Sequence, residues 1–305
     1  MTDRIVIKEV APRDGLQAQS QHLTVEQRLE LISLLSTSGI SECEIGSFVS
    51  PAAVPQMAGT DIIASKLPDS DVVYSALVPN SKGYELALRA GIKQLAIVVS
   101  ATEKMNKQNI NMSLSETFAM AEDLMSRAKN DGVDIHAYLA VAFECPYEGR
   151  VEMATVLRQA ESLMRCNPAR LVVADTIGAA NPKAVKDLMD ALVQDFGASK
   201  LGCHFHDTRA MAIANTFAAI ESGVRYFDSS AGGLGGCPFA PGAKGNVATE
   251  DLILLAHSMG LETGIRVDVL LEAIDAMNQM LSADNGGRAH YWLKNNWQKI
   301  AGTLQ

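Results

Sequence analysis

No stretch of this sequence stays apolar for the ~18–20 residues that a helix needs to cross a bilayer, so a membrane-spanning helix is not expected. Cysteine is scarce and scattered. The five thiols at 43, 145, 166, 203 and 237 form no CxxC pair and no zinc-ribbon spacing. That argues against a disulfide framework and fits a reducing, cytoplasmic setting. Positive charge is also short: 26 Lys and Arg face 35 Asp and Glu, for a net charge of −9. Neither nucleic acid nor an anionic membrane surface is therefore an expected partner. An anionic small substrate would need a local positive site, from a metal ion or a few Arg and Lys. No low-complexity linker and no internal repeat divides the chain. Met1-Thr-Asp-Arg4 runs straight into a strand-like Ile5-Val6-Ile7, so no targeting peptide is expected.

What is present is apolar material, 48% of 305 residues, enough for a large core. Eight β-rich runs recur, at 4–10, 42–48, 72–78, 94–100, 134–143, 170–174, 200–206 and 226–229. Helical spacing fills the intervals. Thr24-x-x-Gln27 and Ser113-x-x-Glu116 have the form of capping boxes, and Val25, Leu29, Ile32 and Leu35 make one amphipathic stripe. Strands alternating with helices predict parallel pairing, and eight strands close a (β/α)8 TIM barrel. A doubly wound open sheet is the rival. Against it, Ala11-Pro12-Arg13-Asp14-Gly15 stands after the first strand where a dinucleotide fold would place G-x-G-x-x-G. The expectation is a single domain over 1–305, with the barrel at about 4–261 and a helical extension at about 262–305. Trp292 and Trp297 of that extension are expected to pack on the barrel.

Barrels of this kind gather their reactive groups at the C-terminal ends of the strands. Arg13 and Asp14 follow the first strand, Glu44 lies on the second and Asp175 ends the sixth. His204 and His206 end the seventh, and Cys237 and Asn246 come after the eighth. Alternate strand residues share a face, so the two imidazoles converge where an ion could bridge them. Core histidines satisfied by backbone are the ordinary alternative. With Asp14 at the same mouth, ligation is favoured, and two imidazoles plus a carboxylate suit an open divalent site for Mg, Mn, Co or Zn. Cys237 sits in Gly-Gly-Cys-Pro on a loop, where a thiol can move a proton or act as nucleophile. The proton role is favoured, because covalent catalysis would want a dedicated base beside it. Arg13 offers a planar donor fork for a developing enolate, or simply pairs with an acid to hold its turn. Glu44 needs a buried partner, for which Arg13 is the candidate. Asp175 supports the site or forms a turn. Cys145-Pro-Tyr-Glu-Gly149 reads as a structural turn. Lys244 meets an anion or is solvated. The glycines from 232 to 236 are neither a dinucleotide fingerprint nor a P-loop, and they suggest flexibility over the site.

These motifs together resemble the 3-hydroxy-3-methylglutaryl-CoA lyase family, from about residue 5 to 265. The resemblance rests on Ala11-Pro-Arg13-Asp14-Gly-Leu-Gln17, Ser47-Phe-Val-Ser-Pro51, Pro55-Gln-Met57 and Cys145-Pro-Tyr-Glu-Gly149. Asp175-Thr-Ile-Gly178, His204-x-His206-Asp-Thr208 and the Gly232-to-Asn246 loop complete it. It implies cleavage of an acyl-CoA to acetyl-CoA and acetoacetate, a step of leucine degradation and ketone-body formation, without a redox cofactor. It further implies that Asp14, His204, His206 and Asn246 hold a divalent cation, Mg or Mn above all. Arg13 would stabilise the enolate, with Glu44 and Asp175 supporting the network, and Cys237 would deliver the proton. Arg13, Gln17 and Ser47 would contact substrate, and a dimer or tetramer of identical chains is expected. Arg209-Ala210-Met211 stands where members of the family carry Tyr-Gly-Gln. Longer 3-alkyl-3-hydroxyglutaryl-CoA substrates are therefore open. A Claisen-condensing synthase of the same superfamily is the alternative activity, disfavoured by His-x-His-Asp-Thr and by the retained Cys237 loop. A binding protein without catalysis is the weakest reading.

Overall fold

The computed structural model describes residues 3–236 and 245–300. Eight strands form a closed parallel barrel: β1 (Val6–Glu9), β2 (Glu42–Ser47), β3 (Val73–Leu77), β4 (Gln94–Ser100), β5 (Asp134–Ala140), β6 (Arg170–Asp175), β7 (Leu201–Phe205) and β8 (Tyr226–Ser229). Each pairs with its sequence neighbours, and β8 closes on β1 through Val6↔Tyr226 to Glu9↔Ser229. The eight runs expected from the sequence are these strands: 94–100 and 226–229 match, 170–174 gains one residue, and the other five are trimmed. The longest trim has a local cause. Val141 adopts φ +50°, which ends β5, and its N–H turns to Thr176 Oγ1 at 2.9 Å.

Period-two alternation explains the core. On β6, Leu171 and Val173 face outward into the main apolar cluster, while Val172 joins Ala96, Tyr138 and Tyr226 in a small cluster lining the lumen. The lumen also takes polar residues. The Tyr226 hydroxyl donates to Glu42 Oε2 at 2.7 Å, and the Arg170 guanidinium lies 3.9 Å over the Tyr226 ring. Both expected capping boxes are formed, at the helices Val25–Thr37 and Leu114–Asp131. In the first, Ile32 and Leu35 are buried, whereas Val25 and Leu29 are half-buried.

Beyond the barrel, helices Val267–Leu281 and His290–Ile300 form the extension, and Leu270, Ile274, Met277 and Leu293 join the main core. The expectation for the tryptophans holds for one of the two. Trp297 packs against the core and stacks near His257, but Trp292 is 49% exposed, since its helix turns Leu293 inward instead. No helix among the described residues is long and apolar enough to cross a membrane.

Candidate active site

The site begins with Pro12. After β1, Ala11–Gly15 wind into one π-type turn with Pro12 at its start, where a missing N–H costs nothing. That turn delivers Arg13 and Asp14 to the C-terminal mouth of the barrel. Asp14, His204 and His206 converge there, with one ligand atom of each within 4.8 Å of the others. The histidine Nε2 atoms stand 3.1 Å apart, and Asp14 Oδ2 lies 3.9 Å from His206 Nε2. Asn246 bridges His206 through the backbone, and its Nδ2 donates to Asp14 Oδ2 at 2.8 Å.

A further residue, absent from the sequence reading, orients this cluster. Asp228 on β8 places Oδ2 3.1 Å from His204 Nδ1. A proton held there assigns the tautomer that leaves the Nε2 lone pair aimed into the cluster, the usual arrangement behind a metal-bound imidazole. An acid directly after two aromatics in Tyr226-Phe-Asp-Ser229 was the signal that could have found it. Two nitrogen donors facing each other beside a carboxylate need a shared proton or a cation. The donor set fits a divalent ion with open positions.

Electrostatics separate the three groups. Burial works against charge on His204, but Asp228 and then Asp14 outweigh it and raise its pKa above the ordinary value. For His206 the nearby Asp14 does not compensate: burial and then the charge of His204 pull it down to about 4, and its Nδ1 is buried without a hydrogen bond. Burial would raise Asp14, yet Arg13 and both imidazoles hold its carboxyl far below the carboxylate range. Arg13 is clasped on two sides, from Nε to Glu44 Oε2 and from Nη1 to Asp14 Oδ1. Burial disfavours its charge, but the two carboxylates more than restore it.

Arg13, Asp14, His204 and His206 border a cavity of about 880 Å³. Gln17 and Ser47 also line it; Gln17 is exposed, and Ser47 Oγ is buried with no partner. Val49, Leu77, Val98, Met105 and Ile110 give it an apolar side. A second cleft of about 840 Å³ opens at the opposite end of the barrel, around Val133, Ala169 and Lys200, and holds none of the expected site residues.

Other expected residues fall elsewhere. Asp175 accepts from Ala179 N at 2.8 Å and Ala180 N at 3.0 Å, so its contacts are those of a turn-former. Arg209 pairs with Glu144 at 3.1 Å, across two loops of the mouth. Cys145 Sγ accepts from Thr102 Oγ1 at 3.0 Å, at the root of the short Glu144–Arg150 hairpin. Cys43 and Cys203 are buried. Cys237 and Lys244 lie outside the described residues. The loop root that is described uses its glycines for conformation: Gly232 and Gly233 take φ +65° and +63°, a left-handed pair that side chains disfavour.

Comparison with known proteins places the chain among lyases. The chain is 41% identical to a hydroxymethylglutaryl-CoA lyase of Pseudomonas mevalonii over 93% of its own length and 95% of the relative's. It is 37% identical to a 3-hydroxy-3-isohexenylglutaryl-CoA/hydroxy-methylglutaryl-CoA lyase of Pseudomonas aeruginosa, covering 94% and 96%. The HMG-CoA lyase structure of Bacillus subtilis superposes with a TM-score of 0.93 at 38% identity, covering 96% of this chain and 98% of that one. Residues 4–277 match the HMGL-like family, and with the barrel and its relatives in agreement, the chain belongs to the HMGL-like family of lyases.

Proposed function

We propose that this protein is a divalent-cation-dependent hydroxymethylglutaryl-CoA lyase, releasing acetyl-CoA and acetoacetate. The observation that carries the reading is the convergence of Asp14, His204 and His206 beside a doubly clasped Arg13 at one cavity. Those three residues and Asn246 would hold a cation, with magnesium or manganese preferred for a mixed oxygen and nitrogen set, and it would supply Lewis-acid chemistry toward the substrate's oxygens.

The chain's own residues do the rest. Cleavage takes the proton from the 3-hydroxyl, breaks the C2–C3 bond, and leaves the electron pair on the thioester as an enolate. Arg13, fixed by Glu44 and Asp14, presents its remaining N–H groups to that enolate oxygen without reorganising. Ser47 Oγ and Gln17 supply polar contacts at the wall and rim. Cys237 gives one proton to the enolate carbon and regains one from water, which has taken the 3-hydroxyl proton, so the reaction is proton-neutral. Asp175 supports the mouth through its turn. The apolar side of the cavity supports acceptance of 3-alkyl groups longer than methyl, as the name of the Pseudomonas aeruginosa relative describes for that protein.

The working setting we assign is a cytoplasmic homo-oligomer, consistent with free cysteines at 43, 145, 166 and 203. The test is acetyl-CoA release from hydroxymethylglutaryl-CoA and longer 3-alkyl analogues, with magnesium, manganese or chelator. Cation-dependent release is expected. Net condensation without cleavage of any member of the panel would replace the lyase with a synthase.

A further inference from the structure

Lys8 lies on β1 with no side-chain exposure to solvent. Its Nζ stands 3.5 Å from Glu44 Oε1 and donates to the Tyr138 hydroxyl at 3.3 Å. Those partners sit on β2 and β5, so the side chain crosses the lumen beneath the site. Each partner leads upward. Glu44 uses its other oxygen to clasp Arg13, and Arg13 clasps Asp14. The Tyr138 ring meets His204 edge to face, with centroids 6.3 Å apart, and Tyr138 lines the cavity.

A lysine that merely neutralised one glutamate would be an unfavourable choice, because a buried ammonium gives up its hydration. Two features argue for a larger role. Glu44, itself fully buried, lies between two cations, Lys8 on one oxygen and Arg13 on the other, and Arg13 also holds the part-buried Asp14. Lys8 also braces both routes into the site at once, while lying outside the cavity wall. Substrate therefore does not meet its amine, which excludes a nucleophilic or Schiff-base part.

We propose that Lys8 is a positioning residue for carbon–carbon cleavage, holding Glu44, and through it the Arg13 guanidinium, in register with the developing enolate. This rests on the lyase reading. Lys8→Met keeps the aliphatic stem and removes the charge. The expected result is a kcat lower by about 10–100-fold with KM changed by less than about threefold, the mark of an interaction realised in the transition state. Calorimetry of the metal-free protein with manganese should give a dissociation constant unchanged or smaller, since one positive charge has left the neighbourhood. In a Glu44→Gln background, adding Lys8→Met should lower kcat by less than about threefold further, because the two act along one path. That pair of variants carries the test if Lys8→Met alone does not fold, as it leaves no lone buried carboxylate. Loss of manganese affinity in step with kcat, or a full additive loss in the Glu44→Gln background, would overturn the proposal. The unaltered protein run alongside separates the two readings: an inactive one sinks the lyase assignment, and an active one matched by Lys8→Met sinks only this inference.

Discussion

At the residue scale, the site is held by partners as much as by its reactive atoms. Asp228 is the clearest case, because it decides which nitrogen of His204 faces the cluster. Asp228→Asn should weaken manganese binding by about 10–100-fold, measured by calorimetry, as loss of such a partner usually does. An unchanged affinity would mean that the imidazole is oriented by packing alone. Cys237→Ser should lower turnover by about 10²–10⁴-fold while cation binding persists, as expected for loss of a proton donor; parallel loss of the cation would make Cys237 a ligand or a structural residue. Ala210 tests a departure from the family pattern. It sits at φ +57° in a turn closed by its N–H to Asp207 O at 3.0 Å. A side chain pays about 1–2 kcal/mol in that region, whereas glycine costs about 0.4–1 kcal/mol through the unfolded chain. Ala210→Gly should therefore stabilise the protein by about 0.5–1 kcal/mol in urea unfolding. A destabilised variant would mean the turn is not strained.

At the element scale, the end of β1 is tied to the roots of two later segments. Glu9 accepts from Ala11 N at 2.8 Å, Ala231 N at 2.9 Å and Thr249 Oγ1 at 2.7 Å. Burial nevertheless raises its pKa from 4.5 to about 7, against those donors. The folded state thus holds a proton that the unfolded chain releases earlier. Its stabilisation is complete below about 4.5 and is lost as pH rises through about 7, by about 3 kcal/mol at most. Glu9→Gln should remove this slope, so that the difference in unfolding free energy between variant and parent changes between pH 4.5 and 8. A constant difference across that range would place Glu9 as ionised throughout.

At the scale of the whole molecule, Glu250 joins the C-terminal extension to the root of the glycine-rich loop, with Asp251 beside it holding the extension. Glu250 accepts from Gly232 N at 3.0 Å and from Gly287 N at 2.7 Å, and Asp251 accepts from Arg288 N and Ala289 N at 2.7 and 2.8 Å. Ending the chain at Asp284 removes three of these donors and the buried Leu293. Buried acceptors left unpaired cost about 1–3 kcal/mol each. The truncated protein should melt several degrees lower and turn over more slowly even at temperatures where circular dichroism shows it folded, because Glu250 also anchors Gly232. Normal turnover in a folded truncation would mean that the loop root holds without the extension.

The sequence by itself determined the barrel and most of its mouth. Strand periodicity survives any environment, so β1 to β8 were legible, and so was the shared face of His204 and His206. Arg13 and Asp14, at the end of an apolar strand, and Glu44, inside one, were legible because charges there need a reason. Tertiary structure alone decided what lies across the lumen. Lys8 meets Tyr138 from 130 positions away, and Asp228 meets His204 through the register of β7 with β8. It also turned Asp175 toward its own loop, paired Arg209 with Glu144, and left Trp292 in solvent. Those outcomes depend on which side chains the closed barrel brings within reach of one another, and spacing along the chain carries no record of that.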